Sequence, residues 1–413
     1  MRGRLRRALV DGLLPLPEDA TGAGLLRILQ RGSAPARIRA LRAAGARSGG
    51  LSMVLLSALL RDPVPGVRRA AAWSLGRQGA EPELRALWEA ARVERCDSVR
   101  LAMVVAAVRL GAEVPRAWAL LEQAAARRFA CYYGPRRVAE ACGAGPDLMA
   151  RRWWRALAPE ADHHGNPAGL RPVPTEQVRS RLRARLLADA EDRAAVMDLA
   201  AQQHPDDLDL IMGRKWVSGR RESHAICEAL GEHGDPRAQA TLVAVLRAMD
   251  VDPGHGFAGR RAAGTALGRL GDPGVGRILA QAMVDEALDH EGRPGAGLGI
   301  QFPVRTVLIT ALGEAGCVDL APLLADYLAN THGSAFGGFY LPAMDALWKL
   351  GRTEPLQARL GGPELAAANA LGVLGALGAV ETLQSRLHDP RPRVAQAARD
   401  GLDLWEQGAQ GEP

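Results

Sequence analysis

One short pattern recurs along the chain and limits what it can fold into: Ala-Leu-Gly-x-x-Gly at the end of an amphipathic stretch. It reads Ala229-Leu230-Gly231 with Gly234, Ala266-Leu267-Gly268 with Gly271, Ala311-Leu312-Gly313 with Gly316, and Ala370-Leu371-Gly372 with Gly375. Ala346-Leu347 with Gly351 is a variant, and Ser74-Leu75-Gly76 with Gly79 is the clearest upstream copy. Weaker copies sit at Ala40-Leu41, Ala106-Ala107 and Ala141-Cys142. Anchored on the Leu position, the copies fall at 41, 75, 107, 142, 230, 267, 312, 347 and 371. Most are 30–45 residues apart, the period of a helical repeat array. The 88-residue gap between 142 and 230 has room for two units that lack the signature.

Each unit reads as two helices. In residues 51–79, Leu51, Val54, Leu55, Ala58 and Leu59 mark the apolar face of a helix A over about 51–61. Asp62-Pro63 and Pro65-Gly66 break it. A helix B follows over about 66–77 with Val67, Ala70, Ala71 and Leu75, and Gly79 is placed to supply a left-handed cap. Neither helix can bury its stripe alone, whereas stacked hairpins make the core continuous. The segment LLRDPVPGVRRAAAWSLGRQG resembles the short HEAT repeats of the phycobilisome-lyase type, in which an Asp-containing turn precedes Val-Arg-x-x-Ala-x-x-x-Leu-Gly. Val67-Arg68, Val99-Arg100 and Val304-Arg305 match its Val-Arg step, and Arg393-Val394 inverts it. The resemblance covers roughly 23–145 and 220–407. It implies an all-α fold, an α-solenoid of stacked antiparallel helical hairpins, and says little of function, because such repeats serve lyase subunits, DNA binders and plain scaffolds.

The expected organisation is a repeat block at 1–145 with a basic first segment, a degenerate helical connector at 146–219, and a second repeat block at 220–413 with long loops. Ala and Leu dominate the apolar residues and aromatics are only 4%, which suits packed helices better than a sheet. The +6 net charge is carried almost wholly by Arg, since Lys occurs only at 215 and 349. Ten Arg against three acidic residues make 1–49 basic, which is read as a solvated helical surface rather than a phosphate-binding arm. The five cysteines are scattered without a C-x-x-C and read as reduced thiols. No apolar run approaches a membrane span, so a cytoplasmic protein is expected.

Two features point to binding. Two positions before the anchor, the B helices of the second block carry Glu228, Thr265, Thr310, Asp345 and Asn369, while four before lie Ile226, Ala263, Leu308, Ala343 and Ala367. In HEAT-like folds B helices line the concave surface. The polar column is therefore either a groove floor or a set of groups satisfying one another and nearby carbonyls. In the first block the same column reads Arg39, Trp73, Val105 and Glu140. The second feature is three long A-to-B loops, 250–259, 289–303 and 331–342, each with glycines, one His and at least one aromatic. His255 and Phe257, His290 and Phe302, and His332, Phe339 and Tyr340 are the residues singled out. Loops on a rigid scaffold are where binding concentrates.

Signals for chemistry are weak. The loops hold metal-ligand residue types, Asp250, Asp252, His255, Asp289, His290, Glu291 and His332, but no i, i+4 pair, and no metal or other cofactor is expected. Deoxyhypusine hydroxylase is a HEAT-like enzyme that holds iron with His-Glu pairs on inner helices. Here the only His-Glu is His290-Glu291, in a loop, which argues against that activity. Gly295-Ala296-Gly297-Leu298-Gly299 lacks the Lys and Ser/Thr of a phosphate loop. Interleaved basic and aromatic residues at Tyr132-Tyr133, Arg136-Arg137 and Arg151-Arg152-Trp153-Trp154 leave a nucleic-acid backbone binder as an alternative. A small-molecule lyase subunit is another. The leading expectation is a non-catalytic scaffold for a protein or peptide, of unspecified oligomeric state.

Overall fold

The computed structural model describes residues 22–46, 51–79, 81–113, 117, 120, 175–189, 192–212, 220–247, 256–285, 302–330 and 340–410. These form twenty α-helices and short 3-10 turns, with no strand among the described residues. The fold is an all-α solenoid of stacked hairpins. In chain order the first six helices are α1 (Gly22–Arg31), α2 (Ala34–Ala46), α3 (Met53–Leu59), α4 (Pro65–Gln78), α5 (Glu81–Val93) and α6 (Asp97–Arg109). Then come α7 (Thr175–Ala188), α8 (Arg193–Gln202), α9 (Leu208–Met212), α10 (Arg220–His233), α11 (Gln239–Arg247) and α12 (Gly256–Leu270). The last eight are α13 (Gly276–Asp285), α14 (Phe302–Glu314), α15 (Ala321–Asn330), α16 (Tyr340–Leu350), α17 (Glu354–Gln357), α18 (Glu364–Ala376), α19 (Val380–Gln384) and α20 (Pro392–Gln410). No described helix is long and apolar enough to cross a membrane.

The contacts divide the chain into two units. One takes 1–119, 149–278 and 314–316; the other takes 120–148, 279–313 and 317–413.

The hairpin expected at 51–79 forms, as α3 and α4. Pro65 opens α4, where a missing N–H costs nothing. Val67, Ala70, Ala71 and Leu75 of α4 are all buried. Helix α3 departs from the expected face. Leu56 is its one fully enclosed side chain, Leu60 just beyond it is buried as well, and Val54 is 80% exposed. With seven residues, α3 docks through this single i, i+4 pair instead of a full stripe. The turn between the helices explains the residues that carry the resemblance. Asp62 Oδ1 accepts from the Val64 N–H at 2.9 Å, and Arg68 reaches back to the Asp62 carbonyl at 2.8 Å. Arg68 also grips both oxygens of Glu94, at 2.6 and 2.8 Å, in the next repeat.

The two glycines of the repeated motif do different work. The first sits where the following B helix passes. A Cβ on Gly76 would lie 2.8 Å from Ala106 Cα, on Gly231 2.8 Å from Ala266 Cα, and on Gly313 2.5 Å from Ala346 Cα. The glycine of one repeat thus receives the alanine that precedes the anchor of the next, or nearly so. The second glycine ends the helix. Gly234, Gly271 and Gly316 have φ of 69, 66 and 73°, the left-handed region that other residues avoid. Asp235 and Asp272 then cap the following 3-10 turns by accepting from Arg237 N at 2.9 Å and Gly274 N at 3.0 Å. Two expected caps fall elsewhere. Gly79 is extended at φ −71°, because the chain runs almost directly into α5. Gly375 lies inside α18, where its missing side chain admits Gly401 of α20, and Gly378 (φ 73°) supplies the left-handed turn.

In the second unit, α18 packs against α15, α16 and α20. Leu308, Leu312, Leu324, Leu347, Leu371 and Leu374 are fully buried. Each such leucine contributes about 1.5–3 kcal/mol relative to exposure. Of the cysteines, Cys96, Cys227 and Cys317 are buried thiols outside any disulfide, and burial pushes the Cys227 thiol up to about 12. Cys131 and Cys142 lie outside the described residues.

Candidate functional site

The polar column of the later B helices is mostly engaged at short range. Thr265 Oγ1 donates to the Arg261 carbonyl at 3.0 Å and Thr310 Oγ1 to Thr306 at 3.1 Å, each one turn back on its own helix. Asp345 is buried with Lys349 one turn on, Nζ to Oδ2 3.0 Å. Glu228 Oε2 lies 3.8 Å from His224 Nε2, and Asn369 is half-buried on α18. Of the loop residues, His255, His290, His332 and Phe339 lie outside the described residues, as do Asp250, Asp252, Asp289 and Glu291. Phe257, Phe302 and Tyr340 fall in the first turns of α12, α14 and α16. Among the described residues no group of three or more His, Cys, Asp or Glu is arranged to hold a metal.

The described residues do form a groove in the first unit, along the B helices α4 and α6. With Gly76 seated on Ala106, these two helices run side by side. One stripe of α6, Ser98, Leu101, Ala102, Val105, Ala106 and Arg109, forms the floor together with Arg69 and Trp73 of α4. The spacing of 3, 1, 3, 1 and 3 residues is that of a single helix face. Gln203, after α8, and Glu232, near the end of α10, make the opposite wall. Two members of the first-block column, Trp73 and Val105, therefore line this groove. Arg69, Ser98, Arg109, Gln203 and Glu232 have no signature in the repeat and are visible only once the helices are placed.

The electrostatics of the groove are uneven. At one end both terminal nitrogens of Arg69 are engaged. It donates to the carbonyls of Gly231 at 3.1 Å, Arg269 at 2.8 Å, and Glu232, so it caps the C-terminal turns of α10 and α12. Glu232 is held by Arg269 at 3.1 Å, and Ser98 Oγ donates to Glu314 Oε2 at 3.0 Å. At the other end Arg77 stacks over Trp73, 5.3 Å from the ring centroid, and Arg109 lies nearby. Burial, and then the like charge of Arg77, lower the Arg109 guanidinium to about 10. Gln203 adopts φ 55°, the one left-handed non-glycine among the described residues, and its buried Oε1 accepts no hydrogen bond among them.

Behind the groove a polar seam ties α2 to the turns flanking α10. Arg42 donates to His233, to the carbonyl and to Nδ1 at 3.3 Å, and His233 Nε2 donates to the His204 carbonyl at 2.8 Å. Burial, and then Arg42, push His233 down to about 3, which fixes the neutral ring with its proton on Nε2. Burial would raise Asp235, but Arg42 and Arg237 outweigh it and hold the carboxyl low. Nearby, the fully buried Asp207 accepts from Arg179 at 2.7 and 3.0 Å and from Arg183 at 2.9 Å.

Residues 22–127, which include α1 to α6, match the family described as HEAT repeats. This segment is built of HEAT repeats. No curated protein matches the chain. Among solved structures, human deoxyhypusine hydroxylase in complex with glycerol aligns over 56% of this chain and 97% of that chain. The identity is 20% and the TM-score 0.28, so nothing of that enzyme is carried over. Within the HEAT repeats, the groove lies on the second helices of the last two described hairpins.

Proposed function

We propose that the chain is a non-catalytic scaffold that holds a protein or peptide partner. The observation that carries this reading is the groove itself, an apolar floor on two HEAT B helices with charged and amide groups at its margins. That division, apolar centre and polar rim, repeats on a small scale the anatomy of protein-binding surfaces. The later polar column and the aromatic-bearing loops are further contact candidates in the same reading, and the compartment is the cytoplasm. A photo-crosslinking residue placed at Ala102, half-buried on the groove floor, tests it. The same residue at Val54, 80% exposed on α3, is the control. Irradiation in native lysate is expected to give a polypeptide adduct from position 102 and none from 54, unchanged by nuclease. Adducts that disappear with nuclease, or equal labelling at both positions, would defeat the reading.

A further inference from the structure

The unit that takes 1–119, 149–278 and 314–316 is closed across a seam. On one side stand α2 and α4; on the other are the turns that follow α8, α10 and α12. We infer that this seam is an acid-released latch: proton uptake at His233 and His204 parts the two sides while the helices on each side stay folded.

The links across the seam run largely to main-chain carbonyls. The Gly66 N–H donates to the Gly271 carbonyl at 3.0 Å. Arg69 donates to the carbonyls of residues 231, 232 and 269, and Arg42 to the carbonyl and Nδ1 of His233. Helix α2 meets the far side chiefly at the 3-10 turns Pro205–Asp207 and Pro236–Ala238. By contrast α2 packs along α4, and α10 along α12. Parting the seam therefore frees guanidinium and carbonyl groups that water can satisfy, and keeps the helix packing within each side.

Both histidines sit in the seam and both are set against a proton. His233 is fully buried; Nε2 donates to the His204 carbonyl, and Nδ1 accepts from Arg42, so a second proton would face a guanidinium. The charged groups around it are Arg42 and Arg39 of α2, Arg69 of α4, Glu232 before it, and Asp235 and Arg237 after it. His204 is also buried, and faces Arg77 of α4, Arg179 of α7, and Asp206 and Asp207 of its own turn. Asp207 is committed to Arg179 and Arg183. Once the seam parts, each ring meets water and takes its proton near the ordinary 6.5, so acid favours the open form. Asp235, which burial alone would raise, is held low by Arg42 and Arg237 and stays ionised. Asp272 is raised by burial, holds its proton more tightly in the closed form, and works against release. The trigger is therefore histidine. Gln203 and Glu232 directly precede the two rings, so the groove wall they form moves with the latch.

The test is amide hydrogen exchange on the full chain, read residue by residue from pH 7.5 to 5. Gly66 is the reporter, because its N–H bonds across the seam. After correction for the intrinsic pH dependence of exchange, its opening is expected to rise about 30-fold from His233 alone, held at about 3 when closed against 6.5 when open. Residues 203–207 and 231–238 should rise with it. At pH 5 Gly66 should still open at least tenfold more often than Leu75 and Leu267, which lie inside α4 and α12. The double variant His204→Gln with His233→Gln should abolish the rise. Should that variant not fold, the wild-type profile decides alone, since the rise must set in near pH 6.5. A pH-independent Gly66, a rise confined to below pH 5 where carboxylates titrate, or one that persists in the folded double variant overturns the latch. Equal opening at Gly66 and Leu75 does so too, because the acid would then be unfolding the whole unit.

Discussion

Arg42 and His233 share a buried site in which one side chain can be charged only if the other is not. The guanidinium donates to Nδ1 of His233 at 3.3 Å, so that nitrogen must keep its lone pair. A histidine held at about 3 in the native state and near its ordinary 6.5 in the unfolded chain costs stability on acidification. Below pH 6.5 the unfolded chain takes up a proton that the native site refuses, at about 1.4 kcal/mol per pH unit. His204 is lowered as well, by burial first and Arg179 second, and adds in the same direction. Denaturant unfolding should therefore show a loss of about 2 kcal/mol or more between pH 6.5 and 5. His233→Gln should be less stable at pH 7.5 but lose about 2 kcal/mol less on acidification. An unchanged pH slope in that variant would show that His233 is not the titrating group.

Asp207 and the two arginines on it separate buried from exposed ion pairs. Arg179 and Asp207 are both buried, whereas the Arg183 side chain is 39% exposed. Asp207→Ala leaves the buried Arg179 without its main partner and should cost about 3–5 kcal/mol. Arg183→Ala should cost about 1 kcal/mol or less. Comparable losses in chemical denaturation would contradict the burial argument.

The motif glycines make a sharper steric prediction. In Gly313→Ala the new methyl would stand 2.5 Å from the Ala346 Cα, a backbone atom that cannot step aside. Overpacking of about 1–3 kcal/mol then outweighs the roughly 1 kcal/mol that alanine gains in a helix. Gly361 has nothing within 4 Å of its added Cβ, so Gly361→Ala should be neutral or slightly stabilising. Melting curves of the two variants decide it.

The contrast between these sites explains what was legible in the sequence. Leu75, Gly76 and Ala106 belong to a pattern that repeats, and periodicity carries contacts between neighbouring repeats. That is why the hairpins and the buried Ala-Leu positions could be read in advance. The groove could not be read so fully. Trp73 and Val105 lay in a recognised column, but Gln203 and Glu232 reach it from far along the chain, outside any period. The rotation of α3 onto Leu56 was also hidden, since Leu51, Val54, Leu55 and Leu59 made an equally good stripe.

The loop aromatics give a fourth prediction. If Phe257, Phe302 and Phe339 contact a partner, replacing all three with Ser should abolish partner capture at an unchanged melting temperature. Each would contribute roughly 1.5–3 kcal/mol of burial in the complex before ordering costs. A large fall in melting temperature with capture retained in the folded fraction would make them structural pins.

Arg69 meets its last main-chain acceptor, the carbonyl of residue 269, across 200 positions of chain. Helical repeat arrays ordinarily complete each unit from its neighbours alone, so that early repeats can finish while later ones are still being made. Here α4 has to wait. At about 5–20 residues per second, the ribosome needs roughly 10–40 s after Arg69 emerges before that carbonyl exists. Throughout that interval a guanidinium destined to be 3% exposed stands in water. The oldest repeats of this molecule are therefore among the last to become native.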